Sequence, residues 1–411
     1  MSTHSSAAAQ DLLCTQLADR GLDVAAIKAR LKAQVIETPS WGYANSGTRF
    51  GAFRQSGAAV TIAEKLADAG QVHKYTGVAP KVAMHVLWDL PDEAALASVP
   101  AAAAEAGVQV GSINPNVFQD QNYKLGSLVS PFPAVRRQAV DHCLESIEIA
   151  RGVNSTVLSM WIADGTCFPG QDDLIDRKHR LEESLRTVYG AMPNDMTMLV
   201  EYKFFEPAFY ATDLPDWGTS MLMCRKLGPQ AKVLVDLGHH AQGVNIEQIV
   251  ALLLDEGMLG GFHFNNRKYA DDDLTVGSIN PYEFFLIYNE LTAAEEWSNA
   301  PHIEYMIDQS HNIKPKISEM IQSVINIQTA YAKALLVDRP KLRAAQQAGD
   351  VQGGELALVE AYETDVRPLL AAVREELGLD PEPLKAFLAS GYQQKVDAER
   401  GDRAGAGGLG Q

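Results

Sequence analysis

Little in this chain points to a disulfide framework, a membrane or a nucleic-acid partner. Its four cysteines, Cys14, Cys143, Cys167 and Cys224, stand far apart with no CxxC pair, the pattern of free thiols in a reducing compartment. No uninterrupted apolar run approaches the length needed to span a bilayer. Residues 1–10 lack the basic start and apolar stretch of a secretory signal. Basic residues number 35 against 52 acidic ones, and the net charge of −17 disfavours a phosphate-binding surface and so a nucleic-acid partner. No repeat of solenoid period is visible. The expectation is a soluble, cytoplasmic protein whose partner is a small molecule.

What is present is an ordinary globular composition, 46% hydrophobic and 21% charged over 411 residues, long enough for one large core. Residues 7–35 read as one or two helices broken at Gly21. After them, strand-length apolar runs recur at 35–41, 82–88, 108–114, 156–162, 196–203, 233–237, 261–264 and 302–308. Amphipathic helical patterns such as 135–150, 173–189, 246–256 and 281–296 separate them. Eight strands in βα alternation predict an α/β fold, the (β/α)8 TIM barrel, rather than a doubly wound sheet. Pro39 interrupts the first strand. The predicted organisation is an N-terminal helical segment 1–34, a catalytic barrel 35–315, an α-helical C-terminal extension 316–395 suited to subunit contacts, and a flexible Gly-rich tail 396–411.

Several of these strands end in a carboxylate or imidazole. Period-two alternation turns Leu199, Glu201 and Lys203 into the barrel, with Gly261, His263 and Asn265, with Ala83, His85 and Leu87, and with Ser159 and Trp161. A parallel barrel gathers strand C-termini on one face, so Glu201, Asp236, His263 and Asp308 would converge there as ligands for a divalent ion. A second set consists of His239, three residues past Asp236, with Asp271 and Asp273, whose i, i+2 spacing in an extended segment turns both the same way. Glu201 is suited to bridge the two ions. Singly, each acid or histidine reads as a helix cap or a satisfied buried group; jointly they read as a two-metal site. Oxygen ligands suit Mg²⁺ and Mn²⁺, and added imidazole tilts the site toward Mn²⁺, Co²⁺ or Zn²⁺.

Lys203, on the inward face with Glu201, is placed to donate to a substrate oxygen carrying developing charge, or else pairs with Glu201. His85 is an acid or base candidate for sugar ring opening, or a hydrogen-bonded barrel histidine. Trp41, Trp161 and Phe118 either wall a pocket or simply pack. Ser310 is a candidate for binding a hydroxyl, with His311 and Lys314 on the same last loop. His240 should point away from the site, toward its surroundings or the surface.

Glu201-x-Lys203, Asp236-x-x-His239, His263, Asp271-x-Asp273 and Asp308 are similar to the metal signature of the xylose-isomerase-like barrels. With Trp41, Gly47-Thr-Arg-Phe-Gly51, His85, Trp161 and Asp308-Gln-Ser-His311, the pattern resembles the bacterial broad-specificity L-rhamnose isomerase family from about residue 40 to 315. The resemblance implies a (β/α)8 barrel, a homotetramer and two divalent ions per subunit, commonly Mn²⁺. It implies that Glu201, Asp236, His263 and Asp308 hold a structural ion, and that Glu201, His239, Asp271 and Asp273 hold a catalytic one. It places Trp41, His85, Trp161 and Ser310 at the substrate pocket and Lys203 near O1. Catalytic roles then fall to Lys203, His85, Glu201 and Asp308, with Glu201 or Asp308 as the base if the reaction runs through an enediol. The expected activity is aldose–ketose isomerisation, L-rhamnose to L-rhamnulose first among related aldoses, in rhamnose and wider carbohydrate metabolism. A keto-sugar 3-epimerase on the same barrel, a metal-bound phosphodiesterase and a non-catalytic sugar-binding protein are the competing readings.

Overall fold

Eight parallel strands close into a barrel in chain order: β1 Glu37–Pro39, β2 Lys81–His85, β3 Gln109–Asn114, β4 Val157–Trp161, β5 Thr197–Glu201, β6 Ala231–Asp236, β7 Leu259–Phe264 and β8 Glu304–Ile307. The computed structural model describes residues 3–48, 51–206, 210–310 and 313–404. A helix follows each strand: α1 Ile62–Thr76, α2 Glu93–Ala106, α3 Pro133–Gly152, α4 Leu174–Ala191, α5 Trp217–Leu227, α6 Ile246–Asp255, α7 Pro281–Ala294 and α8 Lys316–Leu335. This is the (β/α)8 TIM barrel that the alternation of elements predicts. Local chemistry starts the helices where the barrel needs them. Thr61 and Glu64 form a reciprocal capping box on α1, and Asp173, Asp216, Asn245 and Asn280 cap α4 to α7. Among the described residues, no helix is long and apolar enough to cross a membrane.

The alternation within strands decides which residues can reach a ligand. Val157, Leu199, Leu234 and Met306 form a small apolar cluster inside the barrel, and the larger core lies between strands and helices. Outward-facing Phe262 and Phe264 stack 5.1 Å apart, and Phe264 meets Phe284 of α7 at 5.2 Å, leaving His263 between them to face inward. The first strand is shorter than its apolar run, because the chain enters a 3-10 turn, Ser40–Tyr43, directly after Pro39. The second ends at His85; Val86–Asp89 form a helical turn, so Leu87 is 51% exposed instead of facing the interior.

The helix α8 packs against α7 and α1 and closes the ring, so it is the eighth barrel helix and not the first of an extension. Beyond it lie α9 Arg339–Ala348, α10 Val351–Glu363, α11 Arg367–Glu376, α12 Pro383–Ala389 and α13 Tyr392–Arg400. Pro368 sits in the first turn of α11, where its missing N–H has no helical partner to lose. The N-terminal helices, Thr3–Asp19 and Val24–Lys32, flank Gly21 and pack on α11. Chain from 396 to 400, expected to open a flexible tail, completes α13; of the rest, 405–411 lie outside the described residues.

One wholly buried ion pair ties the first two strands to α1. Lys65 Nζ lies 2.6 Å from Asp89 Oδ1, with both side chains fully buried, while Asp89 Oδ2 accepts from Ser40 Oγ at 2.5 Å and from the His85 backbone N–H at 2.6 Å. Breaking such a pair leaves an uncompensated charge in the interior, so Lys65→Met should cost about 3–5 kcal/mol of stability. Urea unfolding measures this, and a loss below about 1 kcal/mol, the range of an exposed pair, would contradict it.

Candidate metal centre

Four neighbouring strands deliver one ligand each to the barrel mouth. Glu201 ends β5, Asp236 ends β6, His263 lies in β7, and Asp308 follows β8 directly. One ligand atom from each of these four side chains lies within 4.8 Å of all the others, the spread that a single cation with bonds of about 2.0–2.3 Å would draw together. His263 Nδ1 stands 3.2 Å from Glu201 Oε1, 3.6 Å from Asp308 Oδ2 and 3.7 Å from Asp236 Oδ2. In a second cluster, one ligand atom from each of Asp236, His239 and Asp271 likewise lies within 4.8 Å of the others. The two clusters share Asp236, and His239 Nδ1 also lies 3.2 Å from Glu201 Oε1 of the first. Both donor sets, carboxylate oxygens with imidazole nitrogen, fit divalent ions of the Mn²⁺ kind.

The positions of these ligands are set by the backbone and by buried partners. Asp236 accepts from the Gly238 N–H at 2.6 Å and from Asn265 Nδ2 at 2.9 and 3.1 Å. A Cβ at Gly238 would sit 2.8 Å from Asp271 Oδ1 and 3.2 Å from Asp236 Oδ1, so a side chain there would press on two ligand carboxylates. The Tyr202 carbonyl lies 3.0 Å from His239 Nδ1, which leaves Nε2 facing Asp271 Oδ1 at 3.4 Å. Fixing one ring nitrogen so that the other is presented outward is how proteins orient histidine ligands. Asp273 lies outside both clusters. It is one of the described non-glycine residues with positive φ, at +47°, and burial together with the charges of Asp271, Asp308 and Asp236 pushes its carboxyl well above the usual range.

Crowding sets the protonation of the whole group. Burial pushes Asp236 up to about 7, reinforced by Glu201, Asp271 and Asp308 against the opposing pull of His239. Burial also opposes ionisation of Asp271, but His239 and Lys203 outweigh it and hold that carboxyl far below the usual range. Burial alone would discharge both imidazoles. The surrounding carboxylates reverse this, raising His239 to about 9 and His263 to about 10.

Lys203 does not pair with Glu201. Its Nζ lies 2.8 Å from Asp271 Oδ2 and 2.7 Å from Glu206 Oε2, and 5.3 Å from the Trp161 ring centroid. Those acids overcome burial and hold the ammonium charged. Around the mouth, Trp41 donates Nε1–H to Asp308 Oδ1 at 2.8 Å and meets the His85 ring at 5.8 Å. The Phe118 ring lies 4.6 Å from Trp161 and 5.5 Å from His85. Burial lowers His85 to about 3, so its ring is neutral. His85 Nδ1, Trp161 Nε1 and Ser310 Oγ are buried without a hydrogen-bond partner among the described residues, a condition that polar ligands commonly relieve. Lys314 points elsewhere, to Thr275 Oγ1 and Glu319, and His311 lies outside the described residues. His240 turns away as expected but is buried, its Nε2 2.7 Å from the Tyr202 hydroxyl.

Four contributors to this site have roles that strand periodicity does not reveal. Glu206 sits in a three-stranded antiparallel sheet of loop segments, Gly165–Thr166, Phe205–Glu206 and Tyr210–Thr212. The Trp88 ring lies tilted over His85 with centroids 4.0 Å apart because the helical turn after β2 carries it over the pocket. Asn265 was placed inward by alternation, yet its grip on Asp236 had no sequence signal, and neither did the Tyr202 carbonyl.

Comparison with known proteins adds a family. No protein-family model matches the chain. Over 399 residues, 96% of this chain and 92% of the relative, it is 42% identical to a protein named probable sugar isomerase from Rhizobium meliloti. A second, from Mesorhizobium japonicum and of the same name, is 42% identical over 93% of this chain and 89% of its own. Among solved structures, the chain is similar to an L-ribulose 3-epimerase, with TM-score 0.54 and 15% identity over 74% of this chain and 98% of that one. It is also similar to a 3-keto-D-glucoside 4-epimerase from E. coli, with TM-score 0.51 and 12% identity over 72% and 99%. At such identities the likeness is one of fold.

Because the two imidazoles carry protons in the metal-free protein up to pH 9 or 10 and ligate only when neutral, cation binding must expel protons. Affinity for Mn²⁺ should therefore rise with pH from 6 to 9, by about tenfold per pH unit for each proton released. Calorimetry in two buffers of different ionisation enthalpy counts those protons; a pH-independent affinity would contradict the assignment.

Proposed function

The chain belongs to the family of these probable sugar isomerases, and on that premise we propose that it interconverts an aldose and its ketose, L-rhamnose and L-rhamnulose foremost, with two divalent cations, Mn²⁺ first among them. The observation that carries the proposal is the pair of adjoining clusters, Glu201–Asp236–His263–Asp308 and Asp236–His239–Asp271, with the Lys203 ammonium fixed at the edge of the second. When bound, the ions supply Lewis-acid stabilisation of negative charge on the sugar oxygens.

The chain's own residues supply the rest. Lys203, held charged between Asp271 and Glu206, donates to the oxygen at C1 as negative charge develops there. Its two acids keep it from swinging out of reach. Trp41, Trp88, Phe118 and Trp161 wall the mouth with flat apolar faces and keep water from the reacting carbons, and the hydrogen bond from Trp41 to Asp308 fixes that wall to the metal-binding side. His85 is neutral at every physiological pH, so its contribution is a hydrogen bond to a substrate hydroxyl during ring opening rather than storage of a proton. Ser310 Oγ is available to a second hydroxyl. Exposed Val351, Leu356 and Leu388 on α10 and α12 support the further proposal that these helices join subunits in a homotetramer.

A keto-sugar 3-epimerase is the second reading. It is favoured by the completeness of the first four-ligand cluster on its own, since epimerisation through two facing carboxylates needs one cation. Metal content separates the two, because the isomerase proposal requires two ions per chain and the epimerase one. Chelated protein given Mn²⁺ and a panel of L-rhamnose, L-mannose, L-lyxose, D-allose and D-psicose should form ketose from the aldoses. Epimer formation from D-psicose without isomerisation would overturn the proposal. Asp271→Asn should reduce the bound metal from two ions to one while leaving the fold intact. Lys203→Met should lower kcat by about 10²–10³-fold with little change in KM, as loss of an oxyanion donor does, and unchanged turnover would remove its role.

A further inference from the structure

The last helix reaches across to the loop that follows Trp41. Arg400, at the end of α13, lies with Nη1 2.7 Å from Asp68 Oδ2 and Nη2 3.0 Å from Asp68 Oδ1, a bidentate pair whose side chains are 8% and 2% exposed. Tyr392 adds a hydroxyl bond to the same carboxylate at 2.9 Å. Asp68 belongs to α1, so this pair docks α13 on the first barrel helix. The contacts that follow do not stop at α1. Arg400 Nη1 also donates to the Gly57 carbonyl at 2.9 Å, and the Gly57 N–H donates to the Gly401 carbonyl at 3.1 Å. Asn45 Nδ2 donates to the Arg403 carbonyl at 3.0 Å, and Asn45 Oδ1 accepts from the Gln55 N–H at 2.9 Å.

Asn45, Gln55 and Gly57 all sit in the loop between β1 and α1, which starts at the Trp41 turn and carries the hairpin Ser46–Thr48 and Gly51–Phe53. Its own ends are joined by a backbone bond from the Ala59 N–H to the Tyr43 carbonyl at 3.0 Å. Further anchors are Glu64 of α1, which accepts from the Val60 N–H at 2.9 Å, the C-terminal segment, and Lys314, whose carbonyl accepts from Gln55 Nε2 at 2.7 Å. The mouth of the barrel is thus bounded on one side by a loop whose position is set some 350 residues later in the chain.

We propose that Arg400 is a positioning residue for substrate binding: through Asp68 and Gly57 it clasps the β1–α1 loop beside Trp41, and the sugar binds against the loop in that clasped state. The kinetic half of this proposal rests on the sugar-isomerase reading; the structural half does not. Trp41 itself is anchored on Asp308 and Ser40 on Asp89, so loosening the clasp moves the loop without dismantling the metal ligands. The expected kinetic signature is weaker substrate binding with the chemical step preserved.

Hydrogen exchange tests the structural half in the full chain with no substrate present. In Arg400→Met, the amides of Gln55 and Gly57 should exchange about tenfold faster or more, as a locally opened segment does, while strands β6 and β7 keep their protection. Exchange unchanged at those amides overturns the clasp. In the same variant KM for the aldose should rise about tenfold with kcat within about twofold, the pattern of lost binding shared by ground and transition states, and Arg400→Lys should recover part of the loss. Faster exchange with an unchanged KM overturns the link to substrate. Should Arg400→Met fail to fold, Asn45→Ala cuts the loop from the Arg403 carbonyl without touching the buried ion pair, and the same two outcomes apply to it, read at the Gly57 amide because the Gln55 N–H loses its own acceptor there. Parent protein that turns over no sugar would defeat the isomerase reading while leaving the exchange result to stand or fall alone.

Discussion

Carboxylates that repel one another are held together at one end of this barrel because each arrives on a different strand or its following loop. Glu201, Asp236 and Asp308 share a space small enough for one ion, and Asp271 adjoins it. Nothing in that arrangement is stable alone. It persists because the strands beneath it are fixed by an apolar interior of Val157, Leu199, Leu234 and Met306 and by a ring of eight packed helices. The Lys203 ammonium offsets part of the charge, and the protein answers the remainder by holding protons on His239, His263 and Asp236. A divalent cation does the same with higher charge density, which is why the geometry favours taking one up. The surplus of acidic residues in the whole chain has part of its explanation here.

Around this charge cluster the fold arranges polar support and apolar walls. Asn265 and the Gly238 N–H hold Asp236, the Tyr202 carbonyl faces His239, and Trp41 joins Asp308 to the aromatic side of the mouth. Lys203 belongs to both halves, with its ammonium on Asp271 and its approach to Trp161. A polyhydroxylated ligand placed between them meets charge on one face and flat hydrocarbon on the other, the combination sugars bind well. The Asp89 network under β1 and β2, and the Arg400 contacts above them, hold the aromatic side from below and from the far end of the chain.

Much of this was legible in the sequence for a simple reason. A parallel barrel buried on both faces writes each strand as an apolar run, and a ligand at its end stands out as an abrupt acid or histidine. That pattern marks Glu201, Asp236, His263 and Asp308, and the βα rhythm marks the fold. The run 82–88 misled because Val86, Leu87 and Trp88 are apolar in either a strand or a helical turn, and periodicity cannot separate the two over so few residues. The boundary at 315 left out α8, since a helix buried on the ring and one in an extension have similar patterns. Glu206 and the Tyr202 carbonyl were invisible for another reason: both act through loop geometry that no periodicity encodes. The register of α13 against α1 depends on a pairing, Arg400 with Asp68, separated by 332 residues, and a single sequence carries no trace of such pairs.

Anomalous diffraction from crystals of the protein soaked in Mn²⁺, recorded at the manganese edge, tests the central claim most directly. Two peaks are expected, one among Glu201, Asp236, His263 and Asp308 and the other beside His239 and Asp271. A single peak, or manganese bound away from the barrel mouth, would contradict it.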